Sequence, residues 1–431
     1  MVSQWFILSI LRSLDSEKSS KNKTHRLKKN QPQGHEVTIY TSHYDQSHCF
    51  QETRNLNIVV RGDFLPRTIL GRGHIVFASL RSIYLSFFAA WSSRADVFHT
   101  DQISLYNLCL AVLRPRTPIV FYCHFPDKLL ASRSSWIRTL YRMPFDAIEE
   151  LATACADTIL CNSEFTRGVF RSNFRRLQSV LKDDLGVLHP ATKFEIGKSP
   201  PDLTQPGTFL SINRYERKKN IGLAIRALAS LRDDIMGEKQ FRAHKVHLII
   251  AGGYDERVAE NVEHYKELVS LAKSKGLHDC VTFVRSFTDE EKSSLLRDCV
   301  AVLYTPNNEH FGIVPLECMS AGRPVIAVNS GGPTETVMND QTGYLCDAEN
   351  PKQWAERMES LLGHDGSKRS IRMGLKGMKH VSDNFSFAAF QRKLDTHITS
   401  ANRTKRVTNL MRWILFITVT LMYVFFSWYV L

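Results

Sequence analysis

Short apolar runs, most of them β-branched, recur along the chain and alternate with stretches of helical spacing. In the first half the runs are VTIYTS (37–42), NIVV (57–60), VFHT (97–100), PIVFYCH (118–124) and TILCNS (158–163). Their apolar character is nearly continuous, as expected of parallel strands covered on both faces. Helical patterns lie between them. WIRTLYRMPFDAIEELATACA (136–156) is one, and RSIYLSFFAAW (81–91) reads as a core helix in preference to a membrane contact. A proline-bearing stretch, KSPPDLTQPG (198–207), then reads as an interdomain linker.

The alternation restarts with TFLSIN (208–213), KVHLIIAGG (245–253), CVTFV (280–284), AVLYTP (301–306), PVIAVN (324–329) and TGYLC (342–346). IGLAIRALASL (221–231) is amphipathic, with apolar positions at 221, 224, 225, 228 and 231, and Asn220 stands where an N-cap belongs. Two successive βα halves predict an α/β protein of two doubly wound, Rossmann-like domains facing each other across a cleft. In such sheets ligands bind beyond the carboxyl ends of the strands, so the chemistry is expected in the loops that follow them.

The two ends of the chain depart from this pattern. Residues 413–431, WILFITVTLMYVFFSWYVL, carry no charge and as a helix would reach about 28 Å, close to the hydrocarbon thickness of a bilayer. Arg403, Lys405, Arg406 and Arg412 precede this run, which predicts a C-terminal transmembrane helix with the bulk of the protein in the cytosol. A buried core helix is the alternative. On that topology the sequons at Asn22, Asn384 and Asn402 are expected to stay unmodified. At the other end, WFILSIL (5–11) is too short to span, and the basic residues follow it rather than precede it, unlike a signal peptide. No glycine occurs before Gly34, and residues 1–35 read as an atypical basic segment.

Composition narrows the class of partner. With 431 residues, 43% hydrophobic and 23% charged, the chain can bury large cores, which excludes wholesale disorder. Lys plus Arg outnumber Asp plus Glu by 56 to 43, a formal +13 that suits an anionic partner. Nine cysteines, an odd count without C-x-x-C spacing, predict free thiols in a reducing compartment.

Four constellations fall in the strand-end loops. SINRYERKKN (211–220) places Arg214, Arg217, Lys218 and Lys219 beside a helix N-terminus, where free N–H groups and the helix dipole already favour anions. A diphosphate is the natural guest; a solvated basic turn is the alternative. NNEHFGIVPLECMSAGRP (307–324) sets Glu309 before a helix and Glu317 eight residues on, with Gly312 permitting close backbone approach and Pro315 in the first turn. Carboxylates accept paired hydrogen bonds from vicinal hydroxyls, so the two could hold two different sugar rings. SGGPTETV (330–337) brings Gly331 and Gly332, either lining the cleft or merely turning strand into helix. FYCHFPD (121–127) puts His124 at a strand end with Asp127 three residues on, and His99 is a rival. There is no D-x-D, no G-x-G-x-x-G and no Walker A sequence. Without a carboxylate pair for a metal, a leaving diphosphate would be neutralised by Arg and Lys.

The succession N-R-Y-E-R-K-K-N, E-x-F-G-I-V-P-L-E and G-G-P-x-E resembles the retaining glycosyltransferases of the GT-B fold that carry the E-x7-E motif. Within them it is most similar to the α-1,3/1,6-mannosyltransferases of dolichol-linked oligosaccharide assembly, the N-glycan precursor pathway. TSHYDQSHCF (41–50), FYCHFPD, ILCNSEFT (159–166), SINRYERKKNIGLAI and AGGYDERVAENVEHY (251–265) carry that resemblance over about residues 36–400. It implies GDP-mannose as donor, dolichol-diphosphate-linked Man-GlcNAc2 as acceptor, α-1,3 then α-1,6 linkages, and no metal or other cofactor. It implies further that Arg214 and Lys219 bind the donor diphosphate, Glu309 the transferred mannose, backbone at Phe311, Gly312 and Ile313 the sugar and phosphate, and Glu317 the ribose, with His124 near the anomeric carbon. The catalytic set would be Glu309, His124, Arg214 and Lys219. The location implied is the endoplasmic reticulum membrane, catalytic domains on the cytosolic face, with membrane lipid and other early mannosyltransferases as partners and no nucleic acid.

The expected organisation is a basic segment at 1–35, an acceptor domain at 36–200, a nucleotide-sugar domain at 205–375, a helical return segment at 376–402 whose helix around 385–399 crosses back to the first domain, and the anchor at 413–431. Family members open with a strand and a glycine-rich G-G-A-E loop ahead of the equivalent of HEVTIYTS. Residues 1–33 hold no glycine, so the first domain is expected to lack that strand, its loop and a helix. Two other readings stand beside the leading one: a GT-B transferase for a different nucleotide sugar or acceptor, and a non-catalytic subunit holding partner transferases at the membrane.

Overall fold

The structure, a computed structural model, describes residues 7–12, 36–45, 56–66, 68, 74–130, 136–174, 185–191, 207–401 and 417–418. The chain divides into two compact units. One comprises Met1–Asn162, Thr166–Leu188 and Lys393–Leu431, the other Ser163–Phe165 and His189–Arg392.

The first unit is built on seven strands: β1 (Ile7–Arg12), β2 (Glu36–Thr41), β3 (Asn57–Val60), β4 (Val97–Asp101), β5 (Ile119–Cys123), β6 (Thr158–Cys161) and β7 (Leu185–Val187). Their order across the sheet is β3-β2-β1-β4-β5-β6-β7. The apolar run of β5 is buried at every position, as a central parallel strand requires. Helix Leu105–Leu113 is buried from Leu105 through Val112 and packs with Phe98, Phe121 and Ile159 into one core. The run at 81–91 falls within helix His74–Ser92, which buries Leu85, Ala89 and Ala90 and leaves Phe87 and Trp91 exposed.

The centre of this sheet corrects the expectation of a missing strand. Ile7–Arg12, inside the segment read as atypical, occupies the place between β2 and β4 and runs antiparallel to both, pairing Leu8 with Tyr40 and with Thr100. A gap there would leave two facing rows of backbone N–H and C=O groups unpaired, and six residues suffice to satisfy them. Strand β7, three residues long, was likewise not expected; a run of that length carries no periodic signal.

The second unit has six parallel strands: β8 (Thr208–Ile212), β9 (His247–Gly252), β10 (Val281–Arg285), β11 (Ala301–Tyr304), β12 (Val325–Val328) and β13 (Gly343–Cys346). The order β10-β9-β8-β11-β12-β13 is that of a doubly wound sheet, with the switch between β8 and β11. The apolar positions 221, 224, 225, 228 and 231 are all fully buried. Each large aliphatic side chain so placed contributes about 1.5–3 kcal/mol. The helix spans Gly222–Ser230 and continues as a π-helical turn over Leu231–Met236. Asn220 is not its N-cap. It lies in the left-handed region at φ 47° and ends the 3-10 turn Arg217–Lys219, and its side chain accepts from Arg226.

Helix Gly363–Asn384 ends at Phe385 and is followed by helix Phe387–Ser400, which passes into the first unit at Lys393. His397 there lies against Gly186 of β7. The expected span at 413–431 falls, but for 417–418, outside the described residues, as do the linker up to Gly207, Asn22 and Asn402. Among the described residues no helix is long and apolar enough to cross a membrane. Eight cysteines are described and all are free thiols.

Candidate active site

The switch between β8 and β11 places two loops side by side at the carboxyl edge of the second sheet. The loop after β8 carries the four cations, and they separate. Arg217 turns onto helix Ala259–Ser274, bonding Glu263 at 2.9 Å and Glu267 at 2.6 Å. Hydrogen bonds from Arg217 and His264 hold the Glu267 carboxyl down at about 2. Lys218 pairs with Glu216 at 3.2 Å. Of the four, Arg217 is therefore committed to a neighbouring helix, while Lys218 shares Glu216 with Arg214.

Arg214 and Lys219 remain at the strand end. Half of the Arg214 side chain is exposed, and its Nη1 is steadied by Glu216 at 3.0 Å. Its stem runs over Gly253, where an added Cβ would stand 3.4 Å from Cγ. Next door, a Cβ on Gly252 would fall 1.7 Å from the Asn213 carbonyl oxygen, so the loops after β8 and β9 touch backbone to backbone. Lys219 Nζ donates to Glu309 Oε2 at 2.5 Å, with 13% and 26% of the two side chains exposed. Thr305, just past β11, donates its hydroxyl to the Lys219 carbonyl at 2.7 Å and binds the two loops together.

The Glu309 loop is held from behind. Gly332 donates its N–H to the Glu309 carbonyl at 2.7 Å. A Cβ on Gly331 would lie 2.4 Å from that same oxygen, and one on Gly332 2.0 Å from the Phe311 carbonyl oxygen. Ser330 accepts the Asn308 N–H at 3.0 Å. Gly331 and Gly332 thus act by letting a second loop press flat against the Glu309 backbone, a use that neither expected reading included. Glu335 of the same motif accepts the N–H groups of Glu164 and Phe165, each at 2.7 Å, and lies 3.1 Å from His189 Nε2.

Gly312 adopts φ 78° directly before helix Ile313–Ser320. Any side chain there would meet Tyr304, whose hydroxyl would stand 3.1 Å from the added Cβ. Phe311 is buried and Ile313 partly exposed. Pro315 sits in the first turn, where no helical N–H is lost. Glu317, farther along, receives Lys292 at 2.7 Å. Both carboxylates of the E-x7-E pair are thus met by a lysine from a different segment. Lys292 escaped the sequence reading, because nothing in DEEKSSLLRD distinguishes one surface lysine from another.

In the first unit the strand-end chemistry gathers at β4 and β5. His124 follows β5, and its Nε2 lies 2.9 Å from Asp101 Oδ1 at the end of β4. Burial works to lower the His124 pKa, and the Asp101 carboxylate outweighs it, so the net shift is upward. His99, within β4, is lowered chiefly by burial, against the pull of Asp101. Gln102, in the left-handed region at φ 61°, ties the segment together. It accepts the His124 N–H at 3.3 Å and donates to the Phe125 carbonyl at 3.1 Å and to Asp127 at 2.7 Å. The partner of His124 is therefore Asp101 and not Asp127. Asp101 and Gln102 sit one and two residues past VFHT, and polar residues at that boundary were the available signal. Glu149 accepts the Asp127 N–H at 2.8 Å, and burial with help from Asp127 pushes its pKa up to about 8. Among the described residues no group of three or more His, Cys, Asp or Glu side chains is arranged to hold a metal ion.

Known proteins share this fold and much of this sequence. Residues 193–378 match the family Glycosyl transferases group 1, and residues 23–180 match Glycosyltransferase Family 4. Sucrose-phosphate synthase from Thermosynechococcus elongatus shares the fold at a TM-score of 0.63 and 18% identity, covering 83% of this chain and 87% of that one. Anabaena HepE in complex with UDP does so at 0.60 and 17%, covering 81% and 88%. The architecture is thus the GT-B α/β fold with two Rossmann-like domains. Among curated proteins, "Alpha-1,3/1,6-mannosyltransferase ALG2" of Homo sapiens is 45% identical over 381 residues, 86% of this chain and 89% of that protein. The protein of the same name from Saccharomyces cerevisiae is 40% identical over 411 residues, 85% of this chain and 79% of that protein. At such identity over so much of both chains, this chain belongs to the α-1,3/1,6-mannosyltransferase family of glycosyltransferases.

Proposed function

We propose that the chain transfers mannose from GDP-mannose to a dolichol-diphosphate-linked Man-GlcNAc2 acceptor, forming the α-1,3 and then the α-1,6 linkage of the N-glycan precursor. One observation carries the assignment of roles: Lys219 and Glu309 meet at 2.5 Å at the switch of a doubly wound sheet, on a loop that also carries Arg214. Cations and a carboxylate at one strand end are what a sugar diphosphate needs, the cations for the phosphates and the carboxylate for the sugar hydroxyls.

In this reading Arg214 and Lys219 stabilise the charge that builds on the diphosphate as the C1–O bond breaks. The acceptor hydroxyl oxygen forms the new bond to C1 on the same face. Its proton passes to the departing diphosphate oxygen, and GDP leaves. Glu309 holds the mannose, the backbone at Phe311, Gly312 and Ile313 approaches sugar and phosphate, and Glu317 holds the ribose. His124 is assigned to the reacting carbon. Fixed cations do the neutralising that a metal does in D-x-D enzymes, so turnover is expected to survive EDTA. The protein acts at the endoplasmic reticulum membrane, anchored through 413–431, with its catalytic domains facing the cytosol beside other early mannosyltransferases.

A second reading, a non-catalytic partner subunit, draws support from β1, which runs opposite to its neighbours, so that its outgoing end, Arg12, lies at the edge away from Asp101. One assay separates the two: the full chain with GDP-mannose and a short-lipid acceptor, beside a variant whose N-terminus carries the family's strand and glycine-rich loop. Turnover by the chain itself supports the transferase. Turnover by the variant alone supports the partner subunit.

A further inference from the structure

Lys292 lies in the first turn of helix Asp289–Asp298, which carries the chain from the edge strand β10 back past β9 and β8 to β11. That crossing brings it to the donor side of the sheet. The turn is firmly placed: Thr288 caps it by accepting the Glu291 N–H, Glu291 returns a bond to the Thr288 N–H at 2.8 Å, and Lys292 N–H donates to the Thr288 carbonyl at 2.9 Å. From this anchored backbone the ammonium reaches Glu317 Oε2 at 2.7 Å, with 22% and 27% of the two side chains exposed.

We propose that Lys292 is a positioning residue for the donor nucleotide, fixing the Glu317 carboxylate so that its second oxygen is aimed at the ribose hydroxyls. The inference rests on Glu317 holding the ribose, and adds a residue that touches the ligand only through it. Two physical arguments carry it. A free glutamate loses rotamer freedom on binding, and prior fixation by Lys292 removes much of that cost. An unpaired carboxylate close to a diphosphate also repels it, and the ammonium cancels that charge. Lys292 occupies one oxygen and leaves Oε1 to accept from the ring.

Titration of the full chain with GDP, 2′-deoxy-GDP and 3′-deoxy-GDP tests this without any need for turnover. The wild type is expected to prefer GDP over the deoxy nucleotides by about tenfold or more, as sites built to bond a hydroxyl do. Lys292→Ala should weaken GDP binding about tenfold and leave the deoxy nucleotides within about threefold of their wild-type affinities, so that the preference collapses. Lys292→Arg should restore it. A general loss of structure would instead weaken all three nucleotides together, and that result overturns the proposal. So does a Lys292→Ala protein that keeps the wild-type preference while Glu317→Gln abolishes it; the ribose role of Glu317 then stands and only the lysine's role falls. A wild type that binds the three nucleotides equally removes the ribose role and the proposal with it.

Discussion

In the second sheet the central strand β8 runs with its neighbours, so the loop after it opens at the same edge as the loop carrying Glu309. In the first sheet the strand in the corresponding place runs against its neighbours. Ile7, its incoming end, lies opposite Thr41 at the carboxyl edge, while Arg12 lies opposite Glu36 at the other. Among the described residues, the strand-end chemistry of the first unit comes from β4 and β5, through Asp101, Gln102 and His124. Strand order locates a switch point, but strand direction decides which loops reach it.

Breaking the second site should have the largest effect. Arg214→Ala combined with Lys219→Ala removes two charge-assisted contacts, each worth about 1.5–3 kcal/mol. GDP affinity should fall by about 100-fold or more in calorimetric titration, with circular dichroism unchanged. Affinity retained within about fivefold would remove these residues from the donor site.

The first unit should respond to Glu149→Gln through pH. The carboxyl titrates at about 8 in the fold and near its ordinary value when unfolded. Between those values the unfolded chain binds fewer protons, so stability falls as pH rises from about 5 to 8. Each pKa unit is worth about 1.4 kcal/mol. The Gln variant should flatten that slope in urea melts at pH 5 and pH 8; an unaltered slope would place its source elsewhere.

Gly332→Ala probes how the Glu309 loop is supported. The methyl would collide with the Phe311 carbonyl, costing about 1–3 kcal/mol. The melting temperature should drop by about 2–10 °C, and binding of GDP-mannose should weaken more than binding of GDP. Equal weakening would detach the glycine pair from the sugar subsite. The mildest change, Asp101→Asn, removes the carboxylate that raises His124 against the effect of burial. The His124 pKa, followed by NMR, should fall; no movement would show that the two do not act as a pair.

Most of both sheets was legible because buried parallel strands declare themselves as unbroken apolar runs, and the runs at 119–123 and 301–304 are buried throughout. The candidate site was legible where its residues follow a strand or open a helix, as Lys219, Glu309 and Gly312 do; Glu317 lies within the helix that Gly312 opens. What escaped depends on pairing across the chain. Ile7–Arg12 is a strand through its pairing with two others distant in sequence. Arg217 looks equivalent to Lys219 until Glu263 and Glu267 draw it to another helix and Glu309 draws Lys219 to the loop after β11. Lys292 and Asp101 matter through partners 25 and 23 residues away, a separation to which no local pattern is sensitive.

Left-handed residues punctuate the turns that carry this chemistry: Gln102 at φ 61°, Asn220 at 47° and Asn308 at 52°, with Gly312 at 78°. A non-glycine residue held there costs about 1–2 kcal/mol, a debt settled while the chain folds. An arriving nucleotide sugar therefore meets bends already made and need not organise them. Speed of capture would then be governed by diffusion and charge, with little left for the loops to rearrange.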